Sequence, residues 1–362
     1  MERVVVTGAN GYIASMIIRD LLKDPTIQVR GTVRDPSNEK KTKFLKELDG
    51  ASERLELVRL DLLKSSVDDY KKAVQDCIYV LHTASPFPLE APKNEDDLIK
   101  PAVHGTRTVL EACNETPSVK RVVITSSCAA IAYGHKDGKD PKQKYNEDTW
   151  SEVENMGKEE AYSKSKTLAE RAAWDFIKEK NPSFSLTTVN PAGVFGPSVS
   201  PNPGTTLEII EKIMTRGFPM LPNLGIGIVD VRDVSQTHIK AMKSQSAAGK
   251  RIVNCAGEVS FHQIGSILAK EFGPMGYKPT TAQVPYALVW IGSWFNKQMA
   301  MFKSGWGKPF NVDGSNVTKI LGIEYRDLNL AIIEAAHTLV DHGIIEKKPK
   351  YVPLSSSPSS AN

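Results

Sequence analysis

From Arg3 to Pro191 short β-branched runs alternate with stretches whose apolar residues recur every three or four positions, and no other feature restricts the fold so strongly. The runs are "RVVVTGA", "QVRGTVRD", "LELVRLDL", "CIYVLHTAS", "KRVVITSS" and "FSLTTVNP". Between them lie "IASMIIRDLLKD", "NEKKTKFLKELDG", "SVDDYKKAVQD", "AVHGTRTVLEACNE" and "AYSKSKTLAERAAWDFIKEK". Strands separated by whole helices pair through crossovers rather than hairpins, so the pattern predicts an α/β, doubly wound, mostly parallel sheet. Beyond Pro191 the rhythm breaks into loops rich in Pro and Gly, with helices such as "LEIIEKIMTRG" and "FHQIGSILAKEFG" at irregular spacing. This predicts a smaller, interleaved C-terminal lobe. Residues 1–192 form the first domain, to which 226–256 returns through "GIVDVRDV" and "KRIVNCAG"; 193–225 and 257–345 form the second lobe. The end, "EKKPKYVPLSSSPSSAN" (346–362), has no apolar periodicity and reads as a disordered tail.

The opening turn, "VVVTGANGYIAS", joins the first strand to the first helix. In a doubly wound sheet such a turn faces the ligand crevice at the strands' carboxyl ends, so "TGANGYIA" lies where a dinucleotide pyrophosphate rests. Gly8 turns the chain off the strand, Gly11 lets the backbone approach the phosphates, and Ala14 keeps the helix close to the sheet. Thr7, Asn10, Tyr12 and Ile13 complete this cofactor cradle. The fold expected is thus of the Rossmann kind. Arg34 ends the second strand where an NAD site usually carries an acid, and Lys40 and Lys41 follow. A cationic strand end suits a 2′-phosphate and predicts NADP, although Asp35 stands next to Arg34.

Two further features extend this edge. Ser126 and Ser127 come off the fifth strand, and Tyr162 and Lys166 stand four apart on the following helix, hence on one face. Three polar groups, Ser127, Tyr162 and Lys166, converge as catalytic candidates. The lysine ammonium is expected to lower the phenol's pKa from its usual value near 10, so that Tyr162 exchanges a proton with a carbonyl oxygen while Ser127 steadies the oxyanion.

Composition removes several rival classes. The 46 basic and 42 acidic residues are interspersed, for a net charge of +4, which leaves no nucleic-acid footprint. Cys77, Cys113, Cys128 and Cys255 form no C-x-x-C pair, against a metal site or a disulfide framework and in favour of a reducing, cytoplasmic setting. The chain enters a strand at once, with no secretory signal pattern. The longest apolar run, "VPYALVWIGSWF" (284–295), is too short to cross a bilayer and reads as a buried helix or pocket lining.

The glycine turn, "RLDLL", "HTASP", "TSS", Y-x-x-x-K and "NPAGVFGP", in this order, resemble the extended short-chain dehydrogenase/reductases. The similarity spans about residues 3 to 345 and points to the group of dihydroflavonol, cinnamoyl-CoA and fungal methylglyoxal reductases. It implies Tyr162 as general acid, Lys166 as the residue that tunes it and holds the nicotinamide ribose, and Ser127 as the carbonyl-orienting hydroxyl. It further implies Asp61 and Leu62 at the adenine, Thr83, Ala84 and Ser85 beside the central ribose, Pro191 and Val194 at the carboxamide, and Arg34 and Lys41 at the 2′-phosphate. "EEAYSKSK" lacks the aromatic- and cysteine-containing segment of cinnamoyl-CoA reductases. Ala132 stands where dihydroflavonol reductases carry an amide or acid, against flavonoid recognition, while "HTASPF", "AAWDFIKEK" and "VNPAGVFGP" resemble most the aldehyde and ketone reductases. Phe87, Cys128, Gly193 and Phe195 are the substrate-lining candidates, with the two phenylalanines equally suited to the core.

The expectation is an NADPH-dependent reductase of a small-molecule carbonyl, a monomer or homodimer with no metal, nucleic acid or membrane partner. The alternatives are a sugar-nucleotide epimerase or dehydratase or a sterol-type dehydrogenase of the same superfamily, and a non-catalytic NADP-binding sensor or scaffold.

Overall fold

The first run folds as β1 (Glu2–Thr7), whose Val4, Val5 and Val6 are fully buried. This is a computed structural model, and it describes residues 1–85, 94–135, 144–201, 204–294, 303 and 305–354. Strands β2 (Ile27–Val33), β3 (Leu55–Arg59), β4 (Tyr79–His82), β5 (Arg121–Thr125), β6 (Ser185–Pro191) and β9 (Arg251–Asn254) join β1 in a seven-stranded sheet of order β3-β2-β1-β4-β5-β6-β9. Every pairing in it is parallel. Helices α1 (Tyr12–Leu21), α2 (Glu39–Lys46), α3 (Ala51–Arg54), α4 (Val67–Val74), α5 (Asp96–Asn114) and α6 (Ala161–Lys180) make the crossovers. Strand order reverses between β1 and β4, and that switch point opens a crevice beyond their carboxyl ends.

Helices on both faces explain why these strands read as unbroken apolar runs instead of alternating ones. On one face Val5, Val80 and Val122 pack with Tyr70 and Val74 of α4, Val109 and Leu110 of α5 and Phe176 of α6. Each such apolar side chain contributes roughly 1.5–3 kcal/mol by leaving water. Ser66 starts α4 with a reciprocal cap, its hydroxyl accepting from the Asp69 amide while the Asp69 carboxylate accepts from the Ser66 amide. α5 begins six residues before the stretch legible in the sequence, because Pro101 lies inside it and reads as a break.

The chain divides into two compact units: Met1–Ala192 with Arg232–Cys255 and Asn311–Glu324, and Gly193–Val231 with Ala256–Phe310 and Tyr325–Asn362. The second holds a three-stranded sheet of β7 (Gly193–Phe195), β8 (Gly225–Asp230) and β10 (Gly257–Ser260), in the order β10-β8-β7.

Several expectations change here. Of the segment 226–256, β9 joins the large sheet, but β8 pairs with β7 and β10 in the small one. A β-branched run signals a strand without saying which sheet receives it. Asn311–Glu324, expected in the second lobe, groups with the first unit, where the Tyr145 amide donates to the Asn311 carbonyl and the Asp313 amide to that of Tyr145. The start of the expected tail is ordered: Tyr351 is buried, its hydroxyl paired with His337 Nδ1, and the Tyr277 hydroxyl donates to the Glu346 carbonyl. Residues 355–362 lie outside the described residues. "VPYALVWIGSWF" yields a helix, Tyr286–Gly292, yet only Val289 of that helix is buried, while Leu288 and Ile291 are exposed. No helix among the described residues is long and apolar enough to cross a membrane.

Candidate active site

Gly8 leaves β1 with φ +69°, a left-handed conformation that a side chain resists, and a Cβ there would stand 3.2 Å from Ala84. The Gly11 amide donates to the Gly8 carbonyl at 2.8 Å, and Gly11 caps α1 with no side-chain hydrogen bond and no acid in the first helical turn. A helix start with neither a side-chain cap nor an acid in its first turn suits an anion. Neighbouring strands hold the loop. The Gly8 amide donates to Thr32 Oγ1 and the Ala9 amide to the Thr32 carbonyl. From β4, Thr83 Oγ1 donates to the Thr7 carbonyl and the Ala84 amide to Thr7 Oγ1, while His82 Nδ1 pairs with Thr7 Oγ1 at 2.9 Å. Burial, with the Lys166 ammonium nearby, depresses the His82 pKa to about 3, so this imidazole is a neutral strut.

A cavity of about 520 Å³ opens on this cradle. Its walls include the expected Thr7, Gly8, Asn10, Gly11, Arg34, Asp61, Leu62, Thr83, Ala84 and Ser85. Tyr12 and Ile13 open α1, and Lys41 lies exposed on α2 outside those walls. Arg34 is exposed, and among the described residues no hydrogen bond or ion pair holds its guanidinium. Asp35 is committed elsewhere: its Oδ1 accepts from the Ser37 amide and hydroxyl, which with Arg59 nearby holds its pKa below the usual value. One oxygen of Asp61 accepts from the Leu63 amide, which sets the turn after β3. Sequence reasoning missed Thr32 and Tyr70, which also line the cavity. Tyr70 is buried, and its hydroxyl has no partner among the described residues, so a polar ligand edge in this cavity would answer an orphaned group. The positive-φ glycine, the uncapped helix start, the cavity-lining Arg34 and this hydroxyl together fit a dinucleotide.

At the end of β5 two adjacent serines point to different tasks. Ser126 is buried and donates to Glu170 Oε2 at 2.5 Å. Ser127 is half-buried, its Oγ accepting from the Ala129 amide and hydrogen-bonded to the Tyr162 hydroxyl. Successive residues of an extended strand face opposite ways, which explains why only one reaches the tyrosine. Tyr162 and Lys166 occupy the first turns of α6, and Lys166 Nζ points at the Thr125 carbonyl, 3.4 Å away. Enclosure pushes the Tyr162 phenol up to about 12, with the Ser127 hydrogen bond pulling it partly back. The direction differs from the lowering expected from the sequence: burial raises the phenol, and Lys166 is not among the groups that shift it. Burial also lowers the Lys166 ammonium to about 8, against the pull of Glu170. A second, small cavity of about 20 Å³ touches Lys166, Thr125 and Ser126 and shares Leu62, Ala84 and Ser85 with the large one.

The remaining candidates divide. Pro191 is buried at the end of β6, and Val194 is buried in β7 against Val229. Cys128 is buried with its thiol directed at the Asn190 carbonyl, and Phe195 is fully buried within the second unit. Gly193 lies in β7, half-buried, where a Cβ would press on the Gly227 carbonyl. Phe87 lies outside the described residues. No cluster of three metal-ligating side chains occurs among the described residues, and the four cysteines are free and buried.

The model of the NAD dependent epimerase/dehydratase family matches residues 4–256, and the chain belongs to that family. A cinnamoyl-CoA reductase of Medicago truncatula is 43% identical over 248 residues, covering 68% of this chain and 74% of its own length. Cinnamoyl-CoA reductase 1 of Arabidopsis thaliana is 33% identical over 347 residues, covering 94% of this chain and 90% of its own. Among solved structures, the yeast methylglyoxal/isovaleraldehyde reductase complexed with NADPH is similar with a TM-score of 0.75 at 28% identity, over 95% of this chain and 100% of that one.

Proposed function

We propose that this chain is an NADPH-dependent reductase that converts the carbonyl of an aldehyde or ketone to an alcohol, with Tyr162 as the proton donor. The observation that carries this reading is the Tyr162 hydroxyl bonded to Ser127, with Lys166 one turn further along α6, at the strand edge that also bears the glycine cradle. Names of relatives agree: cinnamoyl-CoA reductases by sequence and an NADPH-bound methylglyoxal/isovaleraldehyde reductase by structure.

The residues divide the work as follows. The N-terminus of α1 and the Gly8 turn hold the pyrophosphate, and Arg34 takes the 2′-phosphate by a charge-assisted fork. When bound, NADPH supplies the hydride. Ser127 and Tyr162 hold the substrate oxygen between two hydroxyls, and Tyr162 passes its proton to that oxygen as negative charge develops there. A phenol near 12 keeps its proton throughout the neutral range, as reduction requires. Lys166 lends positive charge beside the phenol and holds the nicotinamide ribose. Four buried free thiols suit a reducing, cytoplasmic compartment, and the enzyme works as a monomer or homodimer.

The test is a panel of aldehydes and ketones scored by oxidation of free NADPH and, in parallel, NADH. Steady consumption with NADPH preferred is the expected result. A nucleotide retained through turnover, as in an epimerase, or no turnover despite tight binding, would refute the reading.

A further inference from the structure

Glu170 lies two turns beyond Tyr162 and one beyond Lys166 on α6, and its side chain is fully buried. Five groups converge on its carboxylate. Ser126 Oγ donates at 2.5 Å and Asn190 Nδ2 at 2.6 Å to Oε2; Thr188 Oγ1 donates at 2.8 Å, Arg251 Nε at 2.7 Å and Trp174 Nε1 at 3.4 Å to Oε1. Two of these donors lead back to the reacting hydroxyls. Ser126 precedes Ser127 in the chain, and Asn190 Nδ2 also donates to the Ser127 carbonyl at 3.2 Å. The small cavity of about 20 Å³ is walled by both Lys166 and Glu170.

We propose that Glu170 is a positioning residue for the reduction: it fixes Ser127 through Ser126 and Asn190, and its charge keeps Lys166 an ammonium in a buried place. This rests on the reading of Ser127, Tyr162 and Lys166 as the reacting set.

Lys166 faces Tyr162 and Glu170 on its own helix, the Thr125 carbonyl and Ser126 hydroxyl on β5, the neutral His82 on β4 and the uncharged Thr106 on α5. Glu170 is the one anion among these groups, and it opposes the burial that lowers the ammonium to about 8. On its far side Glu170 meets Arg251, whose guanidinium lies 3.7 Å from the Trp150 ring centre and donates to the carbonyls of Glu147, Thr149 and Ala130. Removing the carboxylate charge would therefore take from Lys166 the one anion that opposes its burial. This favours loss of a proton from the Tyr162–Lys166 unit.

The test measures kcat and KM for the best carbonyl substrate against pH, with NADPH binding followed by fluorescence, for the wild type, Glu170→Gln and Ser126→Ala. Glu170→Gln keeps the shape and removes the charge. Its kcat should fall about 10- to 100-fold with little change in NADPH affinity. The alkaline fall of its rate should move to lower pH by about one unit. Ser126→Ala should lower kcat without moving that fall. A folded Glu170→Gln whose alkaline limb coincides with the wild type overturns the proposal, since a brace alone would lower stability and leave the limb in place. If Glu170→Gln does not fold, Glu170→Asp withdraws the charge by one methylene; a smaller shift in the same direction supports the proposal, and no shift overturns it. Tyr162→Phe in the same series separates the two readings: full activity there refutes the catalytic assignment itself, whereas an inactive Tyr162→Phe beside an unshifted Glu170→Gln refutes only the role of Glu170.

Discussion

Arg34 lines the nucleotide cavity with its guanidinium exposed and unpaired among the described residues, while the neighbouring Asp35 is turned back onto Ser37. On the proposed reading Arg34 meets the 2′-phosphate while Asp35 is held by Ser37. Arg34→Glu should lower NADPH affinity relative to NADH by about 10- to 100-fold, because a charge-assisted fork is replaced by repulsion. Fluorescence titration with both nucleotides measures the ratio, and an unchanged ratio would remove Arg34 from the site. High salt should shrink the wild-type preference, since the arginine is exposed and screened. Two adjacent serines show how finely one residue decides role: Ser126 feeds the buried Glu170, and Ser127 meets Tyr162.

The turn from β1 to α1 works as a unit, since Thr7, Gly8 and Ala9 are each tied to β2 or β4 by a hydrogen bond. Gly8→Ala places a Cβ at positive φ, 3.2 Å from Ala84, and should cost roughly 1–2 kcal/mol. NADPH affinity should fall with it, because the loop relaxes away from the phosphates; denaturant unfolding beside nucleotide titration measures both, and a variant equal to the wild type would show the turn to be tolerant. The glycine turn, the strands and the Tyr162–Lys166 pair were legible because each is a local pattern of spacing and period. Glu170 was not, because its five donors come from β5, β6, β9 and α6 itself, segments distant in sequence. The start of α5 hid behind Pro101, and the sheet that receives β8 depends on pairing the chain does not announce locally. Spacing reveals Lys166 one turn from Tyr162 but not the burial around the phenol that raises its pKa.

Across the larger unit, two buried histidines tie stability to pH. His82 is held near pKa 3 by burial and Lys166, and His238, paired with Thr125 Oγ1 at 2.7 Å and with the Val234 carbonyl, near 4 by burial. Both lie below the unfolded value of about 6.5, so between about pH 6.5 and 4 the unfolded chain binds protons that the folded one refuses. Stability should therefore fall as the pH drops through that window, by roughly 3 kcal/mol between pH 6.5 and 5. Carboxylates with lowered values, such as Asp20, weaken the fold only at still lower pH. Denaturant midpoints at the two pH values check this; a flat profile would mean that the imidazoles are hydrated in solution. On the proposed reading this fold delivers a carbonyl to Tyr162 for protonation. Tyr162→Phe keeps the ring and the nucleotide cavity and removes one hydroxyl, so NADPH should bind as before while kcat falls by about 10²–10⁴. Turnover near the wild-type rate in a Tyr162→Phe enzyme that binds NADPH normally would contradict it.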